Sequence, residues 1–206
     1  MSTNVFLSFR FNDGKDLKKE LEVLFDSSTE IINRSEDVDR SKMSEDTIQK
    51  YLYEKLKYTS VTIVLLTPEA INYRKDIFGR YDDWLYDELR YSLEDRLSNR
   101  TNGVLALYTD ESKSMLLNDT IHTCSQCNKQ KTCRSLCSFD NLVRKNMLNV
   151  KDDFKYNSCT NLYDDDKDSY ISLINIDDFK ENYSKYIDSA KEKRDRKEEF
   201  NLYKRM

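Results

Sequence analysis

The sequence predicts an α/β fold: a parallel central sheet with helices on both faces and an insertion before the last strand. Short apolar runs bounded by polar residues recur along the chain, as buried strands do. Between them, apolar residues repeat at helical spacing. Strand and helix alternate four times up to Tyr108, the signature of parallel strands joined by crossover helices.

The elements follow in order. Val5 to Phe9 is a short apolar strand, and Arg10 to Gly14 is a polar turn. Leu17, Leu21 and Leu24/Phe25 place a helix over Lys15 to Asp26. Glu30 to Ile32 reads as a second strand, followed by a charged loop from Asn33 to Met43. Ser44 caps the next helix, with Glu45 and Asp46 at its positive end and Ile48, Leu52 and Leu56 as its buried stripe. Ser60 to Leu66 is the strongest strand, ended by Pro68, and a loop over 67–81 leads to a helix with Leu85, Leu89, Leu93 and Leu97 on one face. Gly103 breaks that helix before a fourth strand, Val104 to Tyr108. The alternation then lapses over about 110–169, a gap long enough to predict structure of its own, including a short helix around Leu142 to Leu148. It resumes with a strand at Tyr170 to Ile174 and a charged C-terminal helix over about 177–204, solvated beyond Ala190.

Composition removes many chemistries. Lys+Arg 34 against Asp+Glu 38 gives a net charge of -4, so no global field draws the chain to nucleic acid or to an anionic membrane. No apolar run is long enough to span a bilayer. Three glycines and one proline leave no room for a dinucleotide fingerprint or a P-loop. The single histidine, His122, argues against a His-centred triad. No charged-then-apolar leader precedes Val5, and the cysteine count of five is odd; together these predict reduced thiols and a cytoplasmic location.

In a sheet of this class, ligands bind outside the carboxyl ends of the strands, where strand order reverses. Arg10, Asn12 and Asp13 follow the first strand there, and Arg10 is a forked donor suited to phosphate. Asp82 and Asp83 lead into the helix that bears Trp84 and Glu88, which share one face at a spacing of four. An aromatic plate beside a carboxylate suits a cationic heteroaromatic ring joined to a sugar, such as the nicotinamide riboside of NAD. Its glycosidic bond breaks with positive charge developing on the ribose, which a fixed carboxylate stabilises. The aromatic face holds the pyridinium by cation–π attraction. The same pair also suits a half-buried packing residue beside a solvated acid.

Three segments carry a family resemblance. Val5-Phe6-Leu7-Ser8-Phe9-Arg10-Phe11-Asn12-Asp13-Gly14 resembles the opening strand and loop of TIR domains. Trp84-Leu85-Tyr86-Asp87-Glu88-Leu89 resembles their tryptophan-to-glutamate helix motif, whose glutamate is catalytic in NAD-cleaving members. Thr59 to Thr67 resembles the third strand of the bacterial TIR-like family that includes the signalling subunit of the Thoeris antiphage system. The resemblance covers about half the chain; Leu85 replaces the family's usual cysteine, and 73–83 is longer and more charged than usual.

The resemblance implies a single flavodoxin-like TIR domain over 1–206, with Glu88 catalytic and Phe9, Arg10, Asp13, Asp83 and Trp84 binding substrate. NAD is then the substrate rather than a cofactor, and the product is an ADP-ribose-derived signal in antiphage defence. The loop Arg34 to Met43 takes the place of the family's gating and self-association loop. The partners implied are NAD, further copies of the chain and a downstream effector, with neither nucleic acid nor membrane. The alternatives are a catalytically silent TIR-like interaction module and a nucleotide-binding sensor. Two features stand outside this reading. Cys124, Cys127, Cys133 and Cys137 form either a structural zinc site, with His122 as a substitute ligand, or a set of reduced thiols. Asp164-Asp165-Asp166 reads as a solvated turn, with cation binding as the alternative.

Overall fold

The computed structural model describes residues 2–35, 45–71, 84–95, 100–136, 142–159 and 161–204; for Trp84 and Cys133, among others, it describes the backbone alone. Its centre is a five-stranded parallel sheet built from β1 (Thr3–Ser8), β2 (Ile31–Asn33), β3 (Val61–Leu66), β4 (Gly103–Tyr108) and β7 (Ile171–Asn175), in the order β2-β1-β3-β4-β7. This is the doubly wound, flavodoxin-like order, and it fits the predicted fold class. Every adjacent pair is parallel, so Ser8, Leu66 and Tyr108 all end at one edge.

Side-chain alternation sorts the two faces. Val5 and Leu7, Val61, Ile63 and Leu65, and Leu105 and Leu107 pack with Leu21 and Phe25 of α1 (Phe11–Asp26) and Phe179, Ile187 and Ala190 of α7 (Ile176–Asp195). On the other face Val64, Leu66, Val104 and Ala106 meet Leu85, Leu89 and Leu93 of α4 (Trp84–Leu93). Phe6 on that face joins Leu52 and Leu56 of α2 (Glu45–Leu56) and Tyr91 of α4. Strands buried on both sides explain why they read as continuous apolar runs.

Several boundaries differ from the sequence reading. α1 starts at Phe11, four residues early, because its first turn lies directly against Phe9: a Cβ on Gly14 would sit 3.1 Å from Phe9 Cβ. The stretch after β3 is not all loop, since α3 (Pro68–Ile71) forms one turn with proline at its first position. α4 ends at Leu93, well short of Gly103; Leu97 lies outside the described residues. Gly103 serves packing instead, for a Cβ there would meet the Ala190 carbonyl oxygen of α7 at 2.2 Å.

The insertion has its own elements, as expected. α5 (Asp110–Leu116), capped by a reciprocal Thr109–Ser112 box, leads into an antiparallel ribbon of β5 (Leu117–Thr123) and β6 (Gln130–Leu136). α6 (Leu142–Lys145) follows and buries Leu142 and Val143 in the core.

The C-terminal region corrects two expectations. α7 stops at Asp195 rather than running to about 204, and the chain folds back so that Phe200 pairs with Val150 and packs edge-on against Tyr170. Asn149 and Asn146 hold this return, donating to the carbonyls of Asn201 and Tyr203. Nor is the 164–166 turn fully solvated. Lys193, 2% exposed, donates to Asp166 Oδ1 at 2.8 Å and to Ser172 Oγ at 2.5 Å. Burial raises the Asp166 carboxyl, but the Lys193 charge, the hydrogen bonds from Lys193 and Ser172 and the more distant Lys185 charge together outweigh it and hold the group below its ordinary range.

Candidate functional site

From β1 the chain steps outward to β2, then crosses back to β3 on the other side. The carboxyl ends of β1 and β3 therefore flank the point where strand order reverses, the crevice in which such sheets bind ligands. Ser8, Phe9 and Arg10 occupy the β1 side, and Thr67 the β3 side.

Glu88 reaches this point from α4. Its helix packs on the sheet face that carries Phe6 and Ser8, and Ser8 Oγ donates to Glu88 Oε2 at 2.6 Å. Ser8 is fully buried and Glu88 half-buried. A short bond between a strand end and a carboxylate on a crossing helix fixes the position and orientation of the charge.

A second set of bonds holds the helix itself. Ser92 Oγ, one turn on, donates to the Glu88 carbonyl at 2.8 Å. Its only hydrogen is thereby used, so in its 2.7 Å contact with Thr62 Oγ1 the threonine must donate. Asn102 Nδ2 then donates to Thr62 Oγ1 at 3.2 Å, completing a buried chain from the start of β4 to the Glu88 turn.

The predicted residues distribute as follows. Phe9 is half-buried; it leans on α1, with Lys18 Nζ 5.8 Å from its ring centroid. Arg10 is the half-buried N-cap residue of α1, a helix whose first backbone N–H groups have no partner within the helix itself. Asp13 differs from an open substrate ligand: Oδ1 accepts from Thr67 Oγ1 at 2.7 Å and Oδ2 from the Glu69 N–H at 2.8 Å, so it ties the two sides of the crevice together. Trp84 opens α4, one turn before Glu88, its side chain outside the described set; Asp83 and most of the expected gating loop also lie outside it.

Sequence reasoning did not single out Ser8. Its signal was the one polar residue of the apolar run Val5 to Phe9, near the carboxyl end of the strand and in phase with Phe6. A cavity of about 300 Å³, lined by Asp95, Arg100, Thr101, Arg194 and Lys197, lies at the opposite, amino edge of the sheet, remote from Glu88.

The cysteines assemble differently from the predicted set. Cys124, Cys127 and Cys159 bring their sulfurs within 4.8 Å of one another. Cys159 is the member that sequence spacing missed, since it stands 22 residues beyond Cys137. Cys133 pairs in register with Thr120 along the ribbon, its side chain outside the described set, and Cys137 lies outside the described residues.

No protein-family model matches the chain. Among solved structures it is similar to the TIR domains in the structure of the activated Roq1 resistosome directly recognising the pathogen effector XopQ, at 18% identity and a TM-score of 0.29. That match covers 56% of this chain and 62% of the other, less than two thirds of its length. Among the described residues, no helix is long and apolar enough to cross a membrane.

Proposed function

We propose that the chain is a TIR-like NAD-cleaving enzyme, a glycohydrolase or cyclase in which Glu88 is the catalytic carboxylate. The observation that carries this reading is the Ser8–Glu88 bond at the strand-order reversal, which holds a carboxylate at the place where the fold binds ligands. As the ribose–nicotinamide bond breaks, its electron pair leaves with the nicotinamide and the ribose becomes an oxocarbenium ion. A fixed carboxylate stabilises that charge without reorganising. Water then adds and loses a proton to give ADP-ribose, or a nucleophile within the same molecule closes a ring. By the family resemblance, Trp84 stacks on a ring of the dinucleotide, and Phe9 and Asp83 also contact the substrate. Arg10 and the N-terminus of α1, a 16-residue helix, receive the diphosphate. Asp13 contributes by bridging to Thr67, which sets the width of the crevice.

By the same resemblance, copies of the chain associate to complete the site, and the product acts as a messenger for a separate effector in antiphage defence. The experiment is mass spectrometry of NAD incubated with concentrated protein, alone and with extract of phage-infected cells. Nicotinamide together with ADP-ribose, a cyclic isomer or a conjugate is expected. Intact NAD under every condition overturns the reading in favour of an interaction module.

A further inference from the structure

We propose that Cys124, Cys127 and Cys159 form a structural zinc site that fastens the β5–β6 ribbon to the segment preceding β7. The ribbon needs such a fastening. Residues 120–123 are exposed, Ile121 by 75%, so burial does little to hold it, and a two-stranded ribbon is marginal by itself.

The connection between its strands has the form of a metal-binding turn. Asn128 N–H donates to the Cys124 carbonyl at 2.8 Å, and Cys124 N–H to that of Lys129 at 3.0 Å, closing a tight loop over Cys124 to Lys129. Asn128 takes the left-handed conformation, with φ of 57°, which asparagine tolerates better than most residues. Backbone N–H groups of Cys127 and Gln126 face the Cys124 sulfur.

Cys159 arrives from a different segment, and its sulfur lies 3.5 Å from that of Cys124. Tetrahedral zinc with bonds of about 2.3 Å would hold its sulfurs roughly 3.8 Å apart, close to this spacing. Three converging thiols also exceed what one disulfide uses, and all three are free. A second link crosses the same junction: Lys131 of β6 donates to the Tyr163 carbonyl and, at 3.1 Å, to Asp165 Oδ1. Zinc binding displaces any remaining thiol protons to solvent, and the fourth position falls to a donor outside the trio.

The site is tested on the full reduced chain with zinc alone, independently of any NAD turnover. One equivalent of zinc is expected to bind and to slow alkylation of Cys127 and Cys159 at least tenfold, as read by peptide mass spectrometry. Cys159→Ser is expected to bind zinc at least 100-fold more weakly in competition with a chromogenic chelator. The wild-type footprint stands even if that variant folds poorly. The proposal is overturned if the reduced chain binds no zinc, if zinc leaves Cys159 as reactive as before, or if a folded Cys159→Ser binds as tightly as the wild type.

Discussion

Ser8 and Glu88 meet across 80 residues of sequence through one hydroxyl proton at 2.6 Å. Ser8 touches no reacting atom in the proposed chemistry; it is a positioning residue, and its removal should disturb where the carboxylate points rather than whether it is charged. Ser8→Ala is therefore expected to lower kcat about tenfold with KM within about twofold, because a lost orienting bond of roughly 1.4 kcal/mol acts on the transition state. Ser8→Thr keeps the hydroxyl and should recover most of the rate. An unchanged kcat in Ser8→Ala would show that the bond does not orient the carboxylate. Ser92 sits one turn deeper and acts on the backbone. In Ser92→Ala the buried Thr62 hydroxyl loses its acceptor, a change expected to cost about 1–3 kcal/mol in urea unfolding.

At the scale of elements, β4 and α7 approach tightly at Gly103. A methyl group on residue 103 cannot coexist with the Ala190 carbonyl where it stands, so helix or strand must shift. Gly103→Ala should destabilise the chain by at least about 2 kcal/mol through this overpacking, measured as a lower urea midpoint. A neutral effect would mean that α7 slides freely on the sheet. That glycine also shows what a sequence hides. Its position suggested a helix breaker, whereas its role depends on Ala190, in a helix that starts more than 70 residues later. The sheet itself was legible because both of its faces are covered, so each strand is an apolar run whatever its neighbours. Glu88 was singled out by its spacing to Trp84 together with the family resemblance, and the fold adds its bond to Ser8 at the strand-order reversal. Ser8 was not singled out, since a lone serine in a strand gains meaning only from the helix laid over it. Cys159 likewise gains its neighbours from the path of the insertion, which spacing along the chain does not encode.

Across the whole molecule, the C-terminal charges that look solvated in sequence turn out to anchor the end of the fold. Lys193 is buried against Asp166 and Ser172, and Phe200 closes over Tyr170. Asp166 is held below its ordinary value of 3.8, so its contribution is complete above that pH. It is lost as the pH falls through the lower value of the folded state. Asp166→Asn leaves Lys193 buried without its counter-charge and is expected to cost about 3 kcal/mol near neutrality. Urea midpoints followed from pH 7 downward should show wild type and variant converging as the pH falls below the ordinary carboxyl value of 3.8. A constant gap between them would contradict the ion-pair account.

The claim on which the functional reading depends is that the charge of Glu88, and not merely its bulk, cleaves the dinucleotide. Glu88→Gln preserves size and can still accept from Ser8 while removing the negative charge. Nicotinamide release from NAD, measured for wild type and for Glu88→Gln of matched thermal stability, tests it most directly. The account predicts a loss of at least about 100-fold in kcat, the scale of a removed electrostatic stabiliser. Release at the wild-type rate by the glutamine variant would contradict it.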